Sequence, residues 1–315
     1  MIEAHGLART FTTRHGTVEA VRGVDLAVAP GEIVGFLGPN GAGKSTTLRM
    51  LTTLLAPTAG TATVAGHDLR ADPAGVRRRI GYVGQGGGTD PAVPVGEELR
   101  LQADLYGVAG ARERIAALCA RLDLAGLESR PAGSLSGGQR RRLDIALGLV
   151  HAPPLVFLDE PTTGLDPQSR GNLWEHIRRM RAEDGTTVFL TTHYLDEADA
   201  LCDRILIIDH GAIVAAGTPG ELKRRISGDV VTLELAADRD AGRARDSLAG
   251  HAAVREAAVT GRELRLTVED GDHALMGLVR ALDAAGVELV SLRLARPTLD
   301  DVFLTVTGRS LRDAA

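Results

Sequence analysis

Gly38 to Thr46 reads GPNGAGKST. Before it, Glu32 to Leu37 reads EIVGFL, an apolar run suited to a buried strand, and after it Thr47 to Leu55, TLRMLTTLL, suits a helix. Strand, glycine loop ending in Lys44 and Ser45, then helix is the setting the pattern G-x-x-x-x-G-K-[ST] requires. Phosphate oxygens need several backbone N–H donors at close range. Gly38, Gly41 and Gly43 let the backbone turn in on an anion without a Cβ in the way. The helix start adds partial positive charge, Lys44 reaches the β- and γ-phosphates, and the Ser45 hydroxyl suits Mg²⁺.

Partners for this loop lie further along. Leu155 to Glu160, LVFLDE, is an apolar strand closing on two carboxylates. Asp159 at a buried strand end suits a metal-bound water, and Glu160 is placed to polarise a water attacking the γ-phosphate. Gln85 ends the short strand Ile80–Val83 beside Gly86, Gly87 and Gly88, where an amide can touch a metal-bound water. Ser134 to Gln139 reads SLSGGQ ahead of a helix at Arg140–Val150, so Ser136, Gly137 and Gly138 form a second anion-ready helix start. His193 follows the strand Thr187–Leu190 after two threonines, and Asp166 sits in the tight loop PTTGLDP. Asp196–Asp199 spells DEAD, but it lies in a helix-like stretch rather than at a strand end.

This order of motifs, with Asp159 115 residues after Lys44 and LSGGQ shortly before LVFLDE, resembles the ATP-binding-cassette ATPases over residues 1 to about 226. The resemblance implies an α/β P-loop fold, a mixed sheet core with a helical subdomain at about 86–150, and a cofactor set of ATP and Mg²⁺. It assigns the whole loop, Pro39, Asn40 and Ala42 included, to the nucleotide, with Lys44, Ser45 and Thr46 on phosphates and Mg²⁺. Phe11 fills the aromatic position that stacks on adenine. Gln85 is the coupling residue and joins Ser45 and Asp159 at the metal. Leu135 to Gln139 is the signature motif, Glu160 the base, His193 the switch and Asp166 a dimer contact. The family usually has Pro before the coupling Gln, whereas this chain has Gly84. The resemblance also implies a head-to-tail dimer in which the Lys44 loop of one subunit and Ser136–Gly138 of the other enclose each ATP.

From residue 227 the texture changes. Strands at 230–236, 254–260, 263–268 and 288–294 alternate with helices at 241–248 and 273–285, the βαββαβ order of a small ferredoxin-like α+β unit over 227–315. It holds no catalytic constellation and ends in RPTLDDVFLTVTG, Arg296 to Gly308, read as a last helix. With GTPGEL ahead of the boundary, this tail resembles the cassettes of daunorubicin-resistance-type drug exporters. There the ATPase and the membrane channel are separate polypeptides, which implies a permease partner and a peripheral place at the cytoplasmic face of the membrane. An importer subunit, or a soluble cassette acting on DNA or ribosomes, is the alternative.

Composition agrees with this reading. Hydrophobic content of 44% and charged content of 24% over 315 residues suit two globular domains. Residues 227–315 hold 15 acidic and 11 basic side chains, leaving 26 acidic and 25 basic before them. Neither part is basic, so charge favours no nucleic-acid partner. Cys119 and Cys202 stand far apart, against a disulfide or metal site. No stretch approaches the 18 consecutive apolar residues of a membrane span, and no signal peptide is expected.

Overall fold

The computed structural model describes residues 1–308 except His15, Ser227 and Ala249; the domain-boundary residue Ser227 and the end of the tail, 309–315, lie outside the described residues. Contacts divide the chain into one unit ending at Thr218 and a second beginning at Pro219.

The first unit runs β1 (Ile2–Thr13), β2 (Gly16–Val28), β3 (Ile33–Leu37), α1 (Lys44–Leu51), β4 (Ala59–Val64), β5 (His67–Asp68), α2 (Pro73–Arg79), β6 (Ile80–Val83), α3 (Val95–Leu105), α4 (Ala111–Arg121) and α5 (Gly137–Leu149). It continues with β7 (Leu155–Asp159), α6 (Pro167–Asp184), β8 (Thr187–Thr192), α7 (Leu195–Leu201), β9 (Arg204–Asp209) and β10 (Ala212–Gly217). One sheet has the order β10-β9-β3-β8-β7-β6, parallel except for the antiparallel edge β10. A second, antiparallel sheet has the order β2-β1-β4-β5.

Every residue of β3, β7 and β8 is buried. Continuous apolar runs are what a parallel strand covered on both faces requires. Phe36, Phe157 and Phe189 fill the centre, with ring centroids 5.6 and 5.7 Å apart. Strand order reverses beside β3, and in open α/β sheets ligands bind off the carboxyl ends of the strands at that point. The phosphate loop follows β3, Gln85 follows β6, Asp159 closes β7 and His193 follows β8. The topology thus gathers at one edge residues scattered over more than 150 positions.

Several helices start earlier than the sequence reading placed them, among them α5, which begins at Gly137 rather than Arg140 on its Ser136 cap. α1 begins at Lys44 rather than Thr47, because Gly43, at φ 109°, caps it and the polar residues Lys44–Thr46 already form its first turn. α6 begins at Pro167 rather than Asn172. Asp166 accepts the Ser169 N–H as its N-cap and proline occupies the first turn, where its missing N–H costs nothing.

The second unit holds α8 (Pro219–Ile226), β11 (Asp229–Leu235), α9 (Ala241–Leu248), β12 (Val254–Thr260), β13 (Glu263–Val268), α10 (Gly271–Ala284), β14 (Leu289–Ala295) and α11 (Leu299–Thr307). Its antiparallel sheet, β12-β13-β11-β14, is the ferredoxin-like order. Alternate residues of β11 and β13, from Val231 to Val268, meet Leu278 and Leu282 of α10 in a separate core. α8, on the first side of a split drawn by texture, packs against α11 and groups with this unit. A Thr298–Asp301 capping box starts α11.

Candidate nucleotide site

The loop after β3 is shaped for an anion. Gly41 and Gly43 have φ of 77° and 109°. A Cβ on Gly43 would fall 2.6 Å from the Ala20 carbonyl, and one on Gly38 would fall 2.3 Å from the Ile208 carbonyl. No side chain caps α1, so its first N–H groups are left for a ligand. The loop opens into a cavity of about 370 Å³ lined by Pro39, Asn40, Gly41, Gly43, Lys44, Ser45, Thr46, Gln85, Glu160, Thr163 and His193, with Ala20 on its rim. Ala42 lies just beneath, buried, its carbonyl accepting the Gly211 N–H.

Glu160 is where the cavity's polar groups meet. The buried Lys44 ammonium lies 3.6 Å from its Oε1 and donates to the Gly38 and Pro39 carbonyls at 2.7 and 3.1 Å. Burial pulls the Lys44 pKa down, and the Glu160 and Asp159 charges oppose that pull. On Oε2 converge Gln85 Nε2 at 3.0 Å, His193 Nδ1 at 3.3 Å and the Thr163 hydroxyl at 3.3 Å. Glu160 itself sits at φ 45°, rare for a residue with a side chain and held by bonds from its N–H to the Thr191 carbonyl and hydroxyl. Such strain persists only where surroundings over-determine it, as they do at functional sites.

Asp159 stands one layer back. Its Oδ1 accepts the Thr191 hydroxyl at 2.6 Å and the Ser45 hydroxyl at 3.2 Å. Two hard oxygens at that separation fit a Mg²⁺ that takes its other ligands from phosphate and water. The Gln85 amide is turned to Glu160 here.

The remaining sequence candidates lie outside the cavity lining. Phe11 is half-buried on β1 with the Arg9 guanidinium 4.6 Å above its ring. Ser136 caps α5 in a complete box with Gln139, so both are engaged within the chain. Gly138 packs so closely that a Cβ would lie 2.8 Å from the Ser169 hydroxyl, and that hydroxyl donates to Asp166 at 2.6 Å. The start of α5 and Asp166 therefore adjoin each other. Bonds from Ser169 hold the exposed Asp166 carboxyl below its usual pKa.

Sequence reasoning missed Thr191, Thr163 and Arg141. A threonine pair closing the apolar run of β8 was the available signal for the first. Arg141 stands four residues before buried Ile145 on α5, yet it is flanked by two further arginines that mask its position. Trp174 is half-buried and donates its indole N–H to the buried Glu197 at 3.2 Å.

A phosphate loop whose own LSGGQ helix faces elsewhere is the half-site arrangement of the ATP-binding-cassette ATPases. Residues 21–163 match the ABC transporter family, and residues 217–307 match the C-terminal domain of DrrA1-3-like ATP-binding proteins. The chain is 44% identical to the daunorubicin resistance ATP-binding protein DrrA3 of Streptomyces coeruleorubidus, over 96% of each chain. It is also 44% identical to the daunorubicin/doxorubicin resistance ATP-binding protein DrrA of Streptomyces peucetius, over 99% of this chain and 94% of that one. A dimeric post-hydrolysis ATP-binding cassette with ADP and Pi bound superposes with a TM-score of 0.64 at 26% identity, covering 69% of this chain and 98% of that one. The chain belongs to the DrrA-type ATP-binding subunits of ABC transporters, and as such it binds and hydrolyses ATP.

Proposed function

We propose that this subunit powers export of a drug or similar hydrophobic compound through a separate membrane permease, as a head-to-tail dimer at the cytoplasmic face. The observation that carries the reading is the junction on Glu160, where Lys44, Gln85 and His193 meet in a cavity that the chain's own signature motif does not line. The relatives are named for resistance to daunorubicin and doxorubicin, which points to a compound of that kind. No helix among the described residues is long and apolar enough to cross a membrane, so transport needs a partner that does.

In this reading the N–H groups of Gly38–Thr46 cradle the phosphates and the Lys44 ammonium turns from its two carbonyls to the β- and γ-phosphates. Ser45 and Asp159, with Gln85 nearby, would hold a Mg²⁺, which would supply charge neutralisation. Glu160 accepts a proton from the attacking water, and His193, beside its Oε2, faces the γ-phosphate. Ser136, Gly137, Gly138 and Gln139 of a second subunit close over that phosphate, and the Asp166 loops meet across the dimer. Phe11 stacks on adenine once Arg9 yields. The permease seats on the face where the exposed Leu54, Tyr82 and Tyr106 line one cavity. The unit from Pro219 onward supports assembly and takes no part in the chemistry.

Co-expression with a candidate membrane permease tests this. Cells carrying both should lose accumulated daunorubicin and gain resistance, and Lys44→Ala should abolish both effects. Unchanged accumulation with a wild-type pair that hydrolyses ATP would contradict drug export.

A further inference from the structure

The backbone around Gln85 is built almost wholly of glycine, with Gly84 before it and Gly86, Gly87 and Gly88 after it. Glycine resists fixing, so this segment alone would leave the Gln85 amide poorly aimed. Two buried side chains of α5, one helical turn apart, take up that slack.

Arg141 makes three hydrogen bonds to backbone carbonyls: Nη1 to Gly84 at 2.6 Å, Nε to Pro161 at 2.8 Å and Nη2 to Asp159 at 3.0 Å. One planar guanidinium thus joins the residue before Gln85 to the residues on either side of Glu160. Asp144 lies 3.9 Å from Arg141 and is 8% exposed. Its Oδ1 has no hydrogen-bond partner, although it is buried. Native structures rarely leave such an atom unsatisfied. The Gly88 N–H faces this carboxylate. Gly87, at φ 70°, passes so near that a Cβ there would sit 3.1 and 3.2 Å from its two oxygens. Burial raises the Asp144 pKa and the Arg141 charge opposes that.

We propose that Arg141 and Asp144 form a clamp through which α5 sets the Gln85 loop, Arg141 fixing the Gly84 carbonyl ahead of Gln85 and Asp144 gathering the Gly87–Gly88 backbone behind it. The unsatisfied Oδ1 is the acceptor for a loop amide in the closed arrangement. Since α5 begins at Ser136, any shift of that helix is delivered to Gln85, and through the 3.0 Å bond from Gln85 to Glu160. Arg141 and Asp144 are positioning residues: they touch backbone and never the nucleotide. The inference rests on the roles proposed above for Gln85 and Glu160.

The test uses the purified full-length chain and reads kcat, KM for MgATP and the thermal midpoint. Asp144→Leu, which keeps the branching of the side chain but has no acceptor and is bulkier, should lower kcat at least tenfold with KM within twofold. Asp144→Asn, which still accepts an amide N–H, should recover most of that loss. A merely structural Asp144 would move the midpoint and leave kcat of the folded fraction unchanged. Gly87→Ala decides the matter if Asp144→Leu does not fold: its Cβ at a left-handed φ presses on the Asp144 carboxylate, so the midpoint should drop by a few degrees at most, in keeping with about 1 kcal/mol, while kcat of the folded fraction should fall at least tenfold. Wild-type kcat in either folded variant, or Asp144→Asn as impaired as Asp144→Leu, overturns the clamp. Glu160→Gln run in parallel separates the two claims. If it is inactive beside a fully active Asp144→Leu, the clamp alone fails; if it hydrolyses normally, the role of Glu160 fails and the clamp's route with it.

Discussion

Two helices of this chain begin on glycine loops, and they begin in opposite ways. α1 starts from left-handed Gly43 with no side-chain cap, and its Lys44 is 5% exposed at the wall of a cavity. α5 starts from Ser136, whose hydroxyl accepts the Gln139 N–H while the Gln139 side chain accepts the Ser136 N–H. An open helix start in a cavity awaits an anion. A capped start at the surface is already complete, and it offers a neighbour only what it leaves uncovered. That is Gly137, where an added Cβ would meet nothing within 4 Å. In the proposed dimer the start of α1 is thus a receptor, and the start of α5 a lid for the receptor of the other subunit.

The largest effect should come from the receptor. Lys44→Ala removes the cavity's buried cation and should lower hydrolysis by about 10²-fold or more. Phosphate release within a few-fold of wild type would break the contrast at its stronger end. Gly137→Ala probes the lid. Nothing in the chain resists the methyl group, and alanine favours a helix by up to about 1 kcal/mol over glycine. The thermal midpoint should therefore hold or rise while hydrolysis falls about tenfold, because the methyl intrudes only on a partner's phosphate. Unchanged hydrolysis would mean that this face meets nothing. Ser136→Ala should show the smallest change, a cap loss of about 1 kcal/mol and a midpoint lower by about 2–4 °C. A calorimetric scan with no shift would show that the box contributes nothing to α5.

The contrast between receptor and lid also marks where sequence reasoning ran short. Buried strands were plain as apolar runs in β3 and β7, and the second unit's alternation gave all four strands and both sheet-packed helices. The individual site residues were legible because each motif is contiguous. Their convergence was not: Gln85 and Glu160 are 75 residues apart, and only the order of β6, β7 and β8 brings them within 3.0 Å. Arg140, Arg141 and Arg142 read alike, yet only the middle one is fully buried among backbone carbonyls. Periodicity gives the inward face of a helix, but which arginine spends its charge there depends on three carbonyls from two distant segments.

Glu160→Gln tests the central claim, that two chains share each site, most directly. Glutamine keeps the shape of the side chain and leaves Asp159 in place, while removal of the base should slow hydrolysis by about 10²–10⁴-fold. The γ-phosphate would then persist between the α1 loop of one subunit and the Gly137 face of the other. Sedimentation of the purified variant should show a monomer in MgADP that becomes a dimer in saturating MgATP. An inactive variant that stays monomeric in saturating MgATP would contradict the shared site.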